Sequence, residues 1–532
     1  MFIEPIPEDQ IPGSEKNRGY LFGVLFAYSV LLITGILFHP MWRDEFHTWS
    51  IAGASGSFRE LMRNKAAEGH PDLWYLLVYG IRKVSDNPLS MQLMHAGFAI
   101  LTVFLVLKYA PFTRLRRVLL VFGYFYLFEY AVISRNYAIG ILLVTIYLAL
   151  YRHRVRFLLV MALVLFLMAQ TNVYGIILSM TFLATWVFEA VFSEVVRKEL
   201  GLQKPTVFMG LMLVMAGIAY GIHSVIPPPT GYFAGSSHFS LSQLTLHETI
   251  RSVATLWQAW FPVPILNSEF WETNIVRDIV VQAILSLVLA WSAALLFTRR
   301  PVVFFLYITG VAGIIAFILM YYYGYIRHHG HLFILLVICL WLSAYYREGR
   351  YTNRYPVIEK FRGWLIKNTP RIFTVMLSIQ LFAGVYAFTV QCFVPFSAAR
   401  ATAHYIRQQR LDRFLIAGDQ DVALEPVLGY LKKDAFFFSR NAVSTYLVYD
   451  AIRRIPGHER VLALADSLVV AHGDTILLVM NYPLAGHPGR NLFKVGSFEK
   501  SIRYDEIYYL YLLSPPAGSL STSTLKQRIT KE

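Results

Sequence analysis

Long, unbroken apolar runs fill most of the chain up to about residue 394, and mixed apolar and polar segments replace them afterwards. A helix needs roughly 20 apolar residues to cross a bilayer. Runs near that length fall at 20–38, 88–107, 118–133, 136–151, 157–171, 173–192, 206–226, 276–297, 302–322, 331–346 and 372–394. The pattern predicts a polytopic α-helical membrane protein with about eleven transmembrane helices within residues 1–396. Segment 72–84 is too short to cross and has Trp74 and Tyr75 at its front, which suits an interfacial or re-entrant helix. From 397 to 532, stretches such as AARATAHYIRQQ, RFLIAGD, TILLVMNYP and IYYLYLLSP alternate helical and strand periods. They predict a soluble C-terminal α/β domain.

The loops carry a charge pattern. With the N-terminus in the cytoplasm, the connections 108–117, 152–156, 197–204, 299–300 and 347–371 face inward, and each is basic. The outward connections at 134–135, 171–172, 227–274 and 324–330 hold few cations, as the positive-inside rule expects. The first outside loop, 39–87, is the exception, with six Lys or Arg from Arg43 to Lys83. An outward loop that keeps so many cations needs them. The long outside loop, 227–274, ends in an amphipathic piece bearing Trp257 and Trp260, expected to lie on the membrane surface. Eleven crossings put the C-terminal domain outside.

Composition supports this reading. The 532 residues are 56% hydrophobic and 15% charged, against about 25% charged in soluble chains. The net charge of +15 follows from basic cytoplasmic loops and is no nucleic-acid signature. Two cysteines, Cys339 and Cys392, sit in apolar runs and exclude a disulfide framework or a thiolate metal cluster. Residues 1–19 are polar and lead into no small-residue cleavage site, so no cleavable signal peptide is expected.

Four polar clusters fall at the outward ends of the expected spans. They are Asp44-Glu45 with His70 and Asp72; Ser134-Arg135-Asn136-Tyr137; Thr171-Asn172 with Tyr174; and Tyr325 through His331, with Arg327, His328 and His329. Ionisable groups at membrane depth are costly and mark function. Four clusters at one level predict one cavity facing the outer leaflet. A carboxylate pair there can take a proton from an acceptor hydroxyl during glycosyl or phosphoryl transfer. Arginines beside it would hold a leaving phosphate. The histidines would add charge or donate a proton to the leaving group. Each cluster also has a plainer reading. Acids favour helix N-termini, Arg135 could anchor at the interface, and His70-Pro71 could simply begin a helix. Three histidines resemble metal ligands, but the HHGH spacing follows no common zinc pattern.

The stretches RDEFHTWSIA, GHPDLWYLL, SRNYAIGILL and TNVYG, in that order, resemble the successive motifs of the GT-C glycosyltransferases. The nearest branch is that of the protein O-mannosyltransferases and the lipid A aminoarabinose transferases. The resemblance implies a multi-span enzyme that uses a polyprenyl-phosphate-linked sugar on the outer face. It implies that Asp44, with Glu45 beside it, is the catalytic acid of the first loop. His70-Pro71-Asp72 matches a His-Pro-Pro motif, departing from it at Asp72. Arg135 and Tyr137 match an Arg-x-Tyr element. Arg327 and its histidines match a late basic motif, although three histidines within five residues depart from it.

The expectation is an inverting transferase. Asp44 and Glu45 are its catalytic residues. Arg135, Tyr137, Arg327, His328, His329 and His331 hold the donor phosphate. Arg43, His47, His70, Asp72, Asn172 and Tyr174 position the acceptor or the loop. The acceptor is a glycan, lipid or protein, and the setting is the inner (plasma) membrane. No nucleotide-binding motif is present, no cofactor is required by the sequence, and a divalent metal stays open. The rival readings are a transporter or flippase of lipid-linked sugars, which would need no acid pair, and a membrane-anchored binding module whose function lies in 397–532.

Overall fold

The computed structural model describes residues 15–201, 203–229, 231, 245–349, 355–484 and 490–515. Residues 1–14, most of the segment 227–239 with His238, and part of the basic connection 347–371 lie outside the described residues.

The chain opens with α1 (Arg18–Phe38), started by the Asn17 side chain, which accepts from the Tyr20 N–H. The first loop, 39–87, then folds into three short helices: α2 (Arg43–Ala54), α3 (Phe58–Asn64) and α4 (Leu73–Arg82). Ten residues of α4 span about 15 Å, half a hydrocarbon core, so the expected short helix of 72–84 is present. Next come α5 (Leu89–Tyr109) and α6 (Arg114–Val121). The expected span at 118–133 is not one continuous helix: α6 stops at Val121 and a π-helical turn covers Tyr124–Glu129. Gly123 and the run of aromatic rings behind it break the ladder there.

The bundle continues with α7 (Tyr137–Leu150), α8 (Leu158–Ala169), α9 (Val173–Phe192), α10 (Glu194–Gly201), α11 (Lys204–Val225), α12 (Leu246–Trp260), α13 (Ile279–Phe297), α14 (Pro301–Met320), α15 (Ile326–Leu342) and α16 (Pro356–Phe393). Asn172 caps α9 and Asp278 caps α13, while proline opens α14 and α16. Among the described residues, eight helices are long and apolar enough to cross a membrane, and α7 and α8 are shorter apolar helices.

The amphipathic helix α12 does not lie free on a surface. Trp260 is buried and its indole N–H donates to the Leu332 carbonyl at 3.3 Å. The Gln380 amide donates to the Ala259 and Trp260 carbonyls at 3.1 and 3.2 Å. Its C-terminal carbonyls are thus satisfied by α16, which lets the helix end inside the bundle.

The C-terminal region holds α17 (Ala399–Gln408), β1 (Leu415–Gly418), α18 (Asp421–Leu431), β2 (Ala435–Phe437), β3 (Ala442–Ser444), α19 (His458–His472), β4 (Ile476–Met480), β5 (Asn491–Phe498) and β6 (Tyr508–Ser514). The strands form one sheet in the order β3-β2-β1-β4-β6-β5. β1 is parallel to β2 and β4, and the remaining pairs are antiparallel. The central strand β4 is buried throughout, as a strand covered on both faces must be. This domain seats on the first loop through α18. A Cβ on Gly429 would come within 2.2 Å of the Phe46 ring, so only glycine lets α18 approach α2 this closely. The Met41 N–H donates to the Tyr430 hydroxyl at 2.8 Å across the same contact.

Candidate active site

A cavity of about 610 Å³ opens where the first loop, the helix ends and the C-terminal domain meet. Its walls include Arg43, Asp44, His47, Glu68, Gly69, His70 and Tyr75 from the first loop, Arg135 and Tyr137, Asn172 and Tyr174, Tyr325, Arg327 and His328, and Glu425 and Tyr449 from the C-terminal domain. The four clusters expected to share one cavity all contribute to it. It forms at the end of the bundle away from the basic connections 108–117, 152–156 and 299–300.

Asp44 stands in the first turn of α2 with three guanidiniums around it. Arg327 Nη2 lies 3.5 Å from its carboxylate, Arg135 Nη2 3.8 Å and Arg43 Nε 3.9 Å. Burial works against ionisation here, but Arg135, Arg327, Arg43 and the more distant Arg503 outweigh it and hold the carboxyl at about 2. Arg135 also donates to the Asp44 backbone carbonyl, and its Nη2 lies 3.3 Å from His70 Nε2. Burial, aided by the positive charge of Arg135, lowers His70 to about 3, so this imidazole is neutral and receives the arginine's hydrogen at Nε2.

Glu45 does not join the cavity. Successive helical residues diverge by about 100°, so two adjacent acids cannot share one wall. Its carboxylate is buried, lies 2.9 Å from His39 Nε2, and accepts the Ser134 N–H at 2.7 Å and the Trp42 N–H at 3.2 Å. It ties the first loop to the segment that presents Arg135. Asp72 likewise turns away from the cavity, paired with Lys65 and the Tyr220 hydroxyl. This pair pins the turn through Gly69, whose φ of +65° suits glycine, and so places His70.

The histidines of α15 divide the same way. Only His328 lines the cavity, and its Nδ1 accepts the Tyr325 N–H at 2.9 Å. His329 is turned into the bundle, 2.8 Å from Gln258 Oε1 and 2.9 Å from the Tyr323 carbonyl. His331 stacks on Tyr174 with ring centroids 4.4 Å apart. Helical phase turns His329 away, while His331 shares the face of His328 one turn deeper, behind Tyr137 and Tyr174, so the HHGH group does not act as a unit. Among the described residues, no group of three His, Cys, Asp or Glu is placed to hold a metal ion.

His47 faces the C-terminal domain. Its Nε2 lies 2.6 Å from Glu68 and its Nδ1 2.9 Å from Glu425. Burial alone would keep the ring neutral, but Glu425 and Glu68 on its two sides hold it protonated well above the usual histidine range. The remaining cations of the first loop are mostly spent within the protein. Arg43 pairs with Asp505 at 2.6 Å, Arg82 with Asp86 and the Trp49 ring, and Lys65 with Asp72.

Sequence reasoning missed Glu272, Glu68, Glu425, Arg503 and Asp505. Glu68 sits in the acid-rich first loop and was visible there. Glu272 ion-pairs with Arg327 and holds a left-handed φ of 62°, strained backbone that no sequence pattern announces. The other three reach the site only when the C-terminal domain docks. No protein-family model matches the chain, and no curated protein matches it.

Proposed function

We propose that the chain is an inverting membrane glycosyltransferase that moves a sugar from a polyprenyl-phosphate carrier to an acceptor hydroxyl. The observation that carries this reading is the junction at Phe317. That residue lines both the charged cavity and an apolar groove between α9 and α14. The groove runs past Met180, Ala184 and Gly313 and continues beside Val187, Met215 and Phe305. From Phe317 to Phe305 the path along α14 is about 18 Å. A lipid tail lying there would bring its phosphate to the arginines without leaving the bilayer.

Asp44 takes the proton from the acceptor hydroxyl. The oxygen attacks the anomeric carbon from the face opposite the phosphate, the bond from that carbon to the phosphate oxygen breaks, and its electron pair leaves with the polyprenyl phosphate. Arg135, Arg327 and Arg43 stabilise the charge that develops there. Around Asp44 itself the guanidiniums of Arg43, Arg135 and Arg327 outnumber the one carboxylate, which favours a phosphodiester there. In the free protein Asp44 is too weak a base. A donor phosphate would draw the guanidiniums' charge to itself and raise the carboxylate's basicity, so base strength would rise as the donor seats.

The basic connections lie away from the cavity. By the positive-inside rule that supports an outward-facing cavity, an extracytoplasmic C-terminal domain and a plasma-membrane (inner-membrane) location. The short helices α7 and α8 and the broken passage from α6 to Ala131 would complete the eleven crossings. The acceptor would be a glycan, lipid or protein reaching the wall made by Glu425 and Tyr449. A flippase would use the same groove, but it has no need of a lone carboxylate among arginines.

The test is transfer of labelled sugar from polyprenyl-phosphate donors in proteoliposomes. The parent should release polyprenyl phosphate, and Asp44→Asn should bind donor and turn over about 10²- to 10⁴-fold more slowly. A parent that transfers nothing yet moves labelled lipid between leaflets would replace this reading with the flippase.

A further inference from the structure

Six charged side chains, of which Arg43, Asp44 and Arg327 line the cavity, close a ring of alternating sign around two buried tryptophans. Asp44 meets Arg43 at 3.9 Å, and Arg43 meets Asp505 at 2.6 Å. Asp505 meets Arg503 at 2.8 Å, and Arg503 meets Glu272 at 3.4 Å. Glu272 pairs with Arg327, and Arg327 returns to Asp44 at 3.5 Å. Trp42 and Trp271 sit inside, edge to face at 4.9 Å. The Arg327 and Arg503 guanidiniums each lie 5.1–5.3 Å from both ring centroids. Four parts of the chain supply the ring: the first loop, the end of the long loop, the start of α15 and the turn before β6. Nothing in a single segment could form it.

We infer that Arg503 and Asp505 of the C-terminal domain are positioning residues for the transferase centre, setting the charge and placement of Asp44 and Arg327 through this ring. The inference rests on the reading of Asp44 as the base. Arg43 has Asp505 on one side and Asp44 on the other, so Asp505 holds part of its charge away from Asp44. Arg503 shares Glu272 with Arg327, and so leaves Arg327 freer to reach Asp44. The Glu272 backbone, with its positive φ, is fixed by Trp271, whose indole N–H donates to Glu129 at 3.0 Å. The domain is thereby part of the active site and no appendage to it. A chain whose C-terminal domain undocks would lose two ring members and leave Arg43 and Glu272 each short of a partner.

The two residues carry opposite charge, so their removal must act on Asp44 in opposite senses. Facing Asp44 are the guanidiniums of Arg43, Arg135 and Arg327, the more distant Arg503, the neutral His70, and the phenols of Tyr75, Tyr137, Tyr322 and Tyr449. Removing Arg503 withdraws positive charge from this set. Removing Asp505 frees Arg43 to turn its charge fully on Asp44.

The experiment uses the full-length protein in detergent with a water-soluble carbodiimide and an amine nucleophile, reading Asp44 modification by peptide mass spectrometry between pH 5 and 6. Only the protonated carboxyl reacts, and well above its pKa that fraction changes tenfold per unit. Arg503→Gln should label Asp44 severalfold faster than the parent, and Asp505→Asn severalfold slower. Arg503→Lys, which keeps the charge, should stay within about twofold of the parent by the same relation. A domain that merely comes loose would move both neutral variants the same way, and that result, or no change in either, overturns the inference. Transfer assays on the same variants should show kcat falling more than donor KM rises. If the parent transfers no sugar while the labelling moves in opposite senses, the function reading fails and the ring stands.

Discussion

At the end of the bundle away from the cavity, Arg154 grips Glu189 through two hydrogen bonds of 3.2 and 2.7 Å, and the Tyr346 hydroxyl donates to the same carboxylate at 2.8 Å. At the cavity end, Asp44 has three guanidiniums at 3.5–3.9 Å, and among the described residues its carboxylate accepts no hydrogen bond from them. The Nε atoms of Arg135 and Arg327 are buried without a partner. Both places bury charge, but the Glu189 carboxylate is saturated by its partners and the cluster around Asp44 leaves donors over. A saturated pair fixes helices to one another and has nothing left to offer a ligand. Long contacts with spare N–H groups hold charge in place at a cost, and a phosphate would relieve that cost.

The contrast breaks first at its two carboxylates. Asp44→Asn should lose about 10²- to 10⁴-fold in turnover, with only a modest fall in melting temperature as the three guanidiniums lose their shared counter-charge. Glu189→Gln should do the reverse. It strands Arg154 in the bundle and should destabilise by about 3–5 kcal/mol, while the molecules that remain folded turn over normally. If both variants lose activity in proportion to stability, the two ends are alike and the cavity has no special standing.

How much of this was legible before the structure follows from the range of each interaction. The long helices were, because a bilayer-length apolar run is a local signal. The break after Val121 was not, since the run is apolar up to Glu129 and the close approach of Gly123 and Gly384 that accompanies the π turn exists only in the fold. The site residues followed the same rule. Asp44, Arg135, Arg327 and His328 were found by their place at span ends. Glu45 and His329 shared that place but point elsewhere, because helical phase at a helix start depends on the cap, and Trp42 and Tyr325 are unusual cap residues; His331 shares the face of His328 but lies a turn deeper, behind Tyr174. Arg503 and Asp505 could not be found at all. Their role exists only across the contact of two domains.

A smaller effect sharpens the comparison at the domain contact itself. Glu506 is fully buried beside the ring, accepts the Arg43 N–H at 3.0 Å, and leaves its second oxygen without a partner. Burial pushes its carboxyl up from 4.5 to about 7, against the pull of Arg43. The folded chain then keeps a proton that the unfolded chain sheds above 4.5. Stability from this group is intact below 4.5, declines as pH rises, and is fully lost above about 7. Glu506→Gln never ionises. It should match the parent near pH 4 and exceed it by up to about 3 kcal/mol at pH 8, read as a melting-temperature gap that widens with pH. A gap that narrows with pH would mean that Glu506 is ionised in the fold and belongs with the saturated pairs.

The smallest change tests the neighbouring acids in the first turn of α2. Glu45→Gln keeps an oxygen for the Ser134 N–H and loses the charge opposite His39 and the acceptor for the Trp42 N–H. It should cost about 1–2 kcal/mol of stability, the worth of one hydrogen bond to a charged group, with kcat near the parent's. The pH dependence of that kcat is the finer reading. Asp44 gains basicity only when a phosphate occupies the arginines, so the acidic limb of kcat should lie above that of kcat/KM in the parent and in Glu45→Gln alike. If Glu45→Gln shifts the acidic limb, the proton reaches Asp44 by way of Glu45. The two carboxylates would then act as one pair in spite of facing opposite ways.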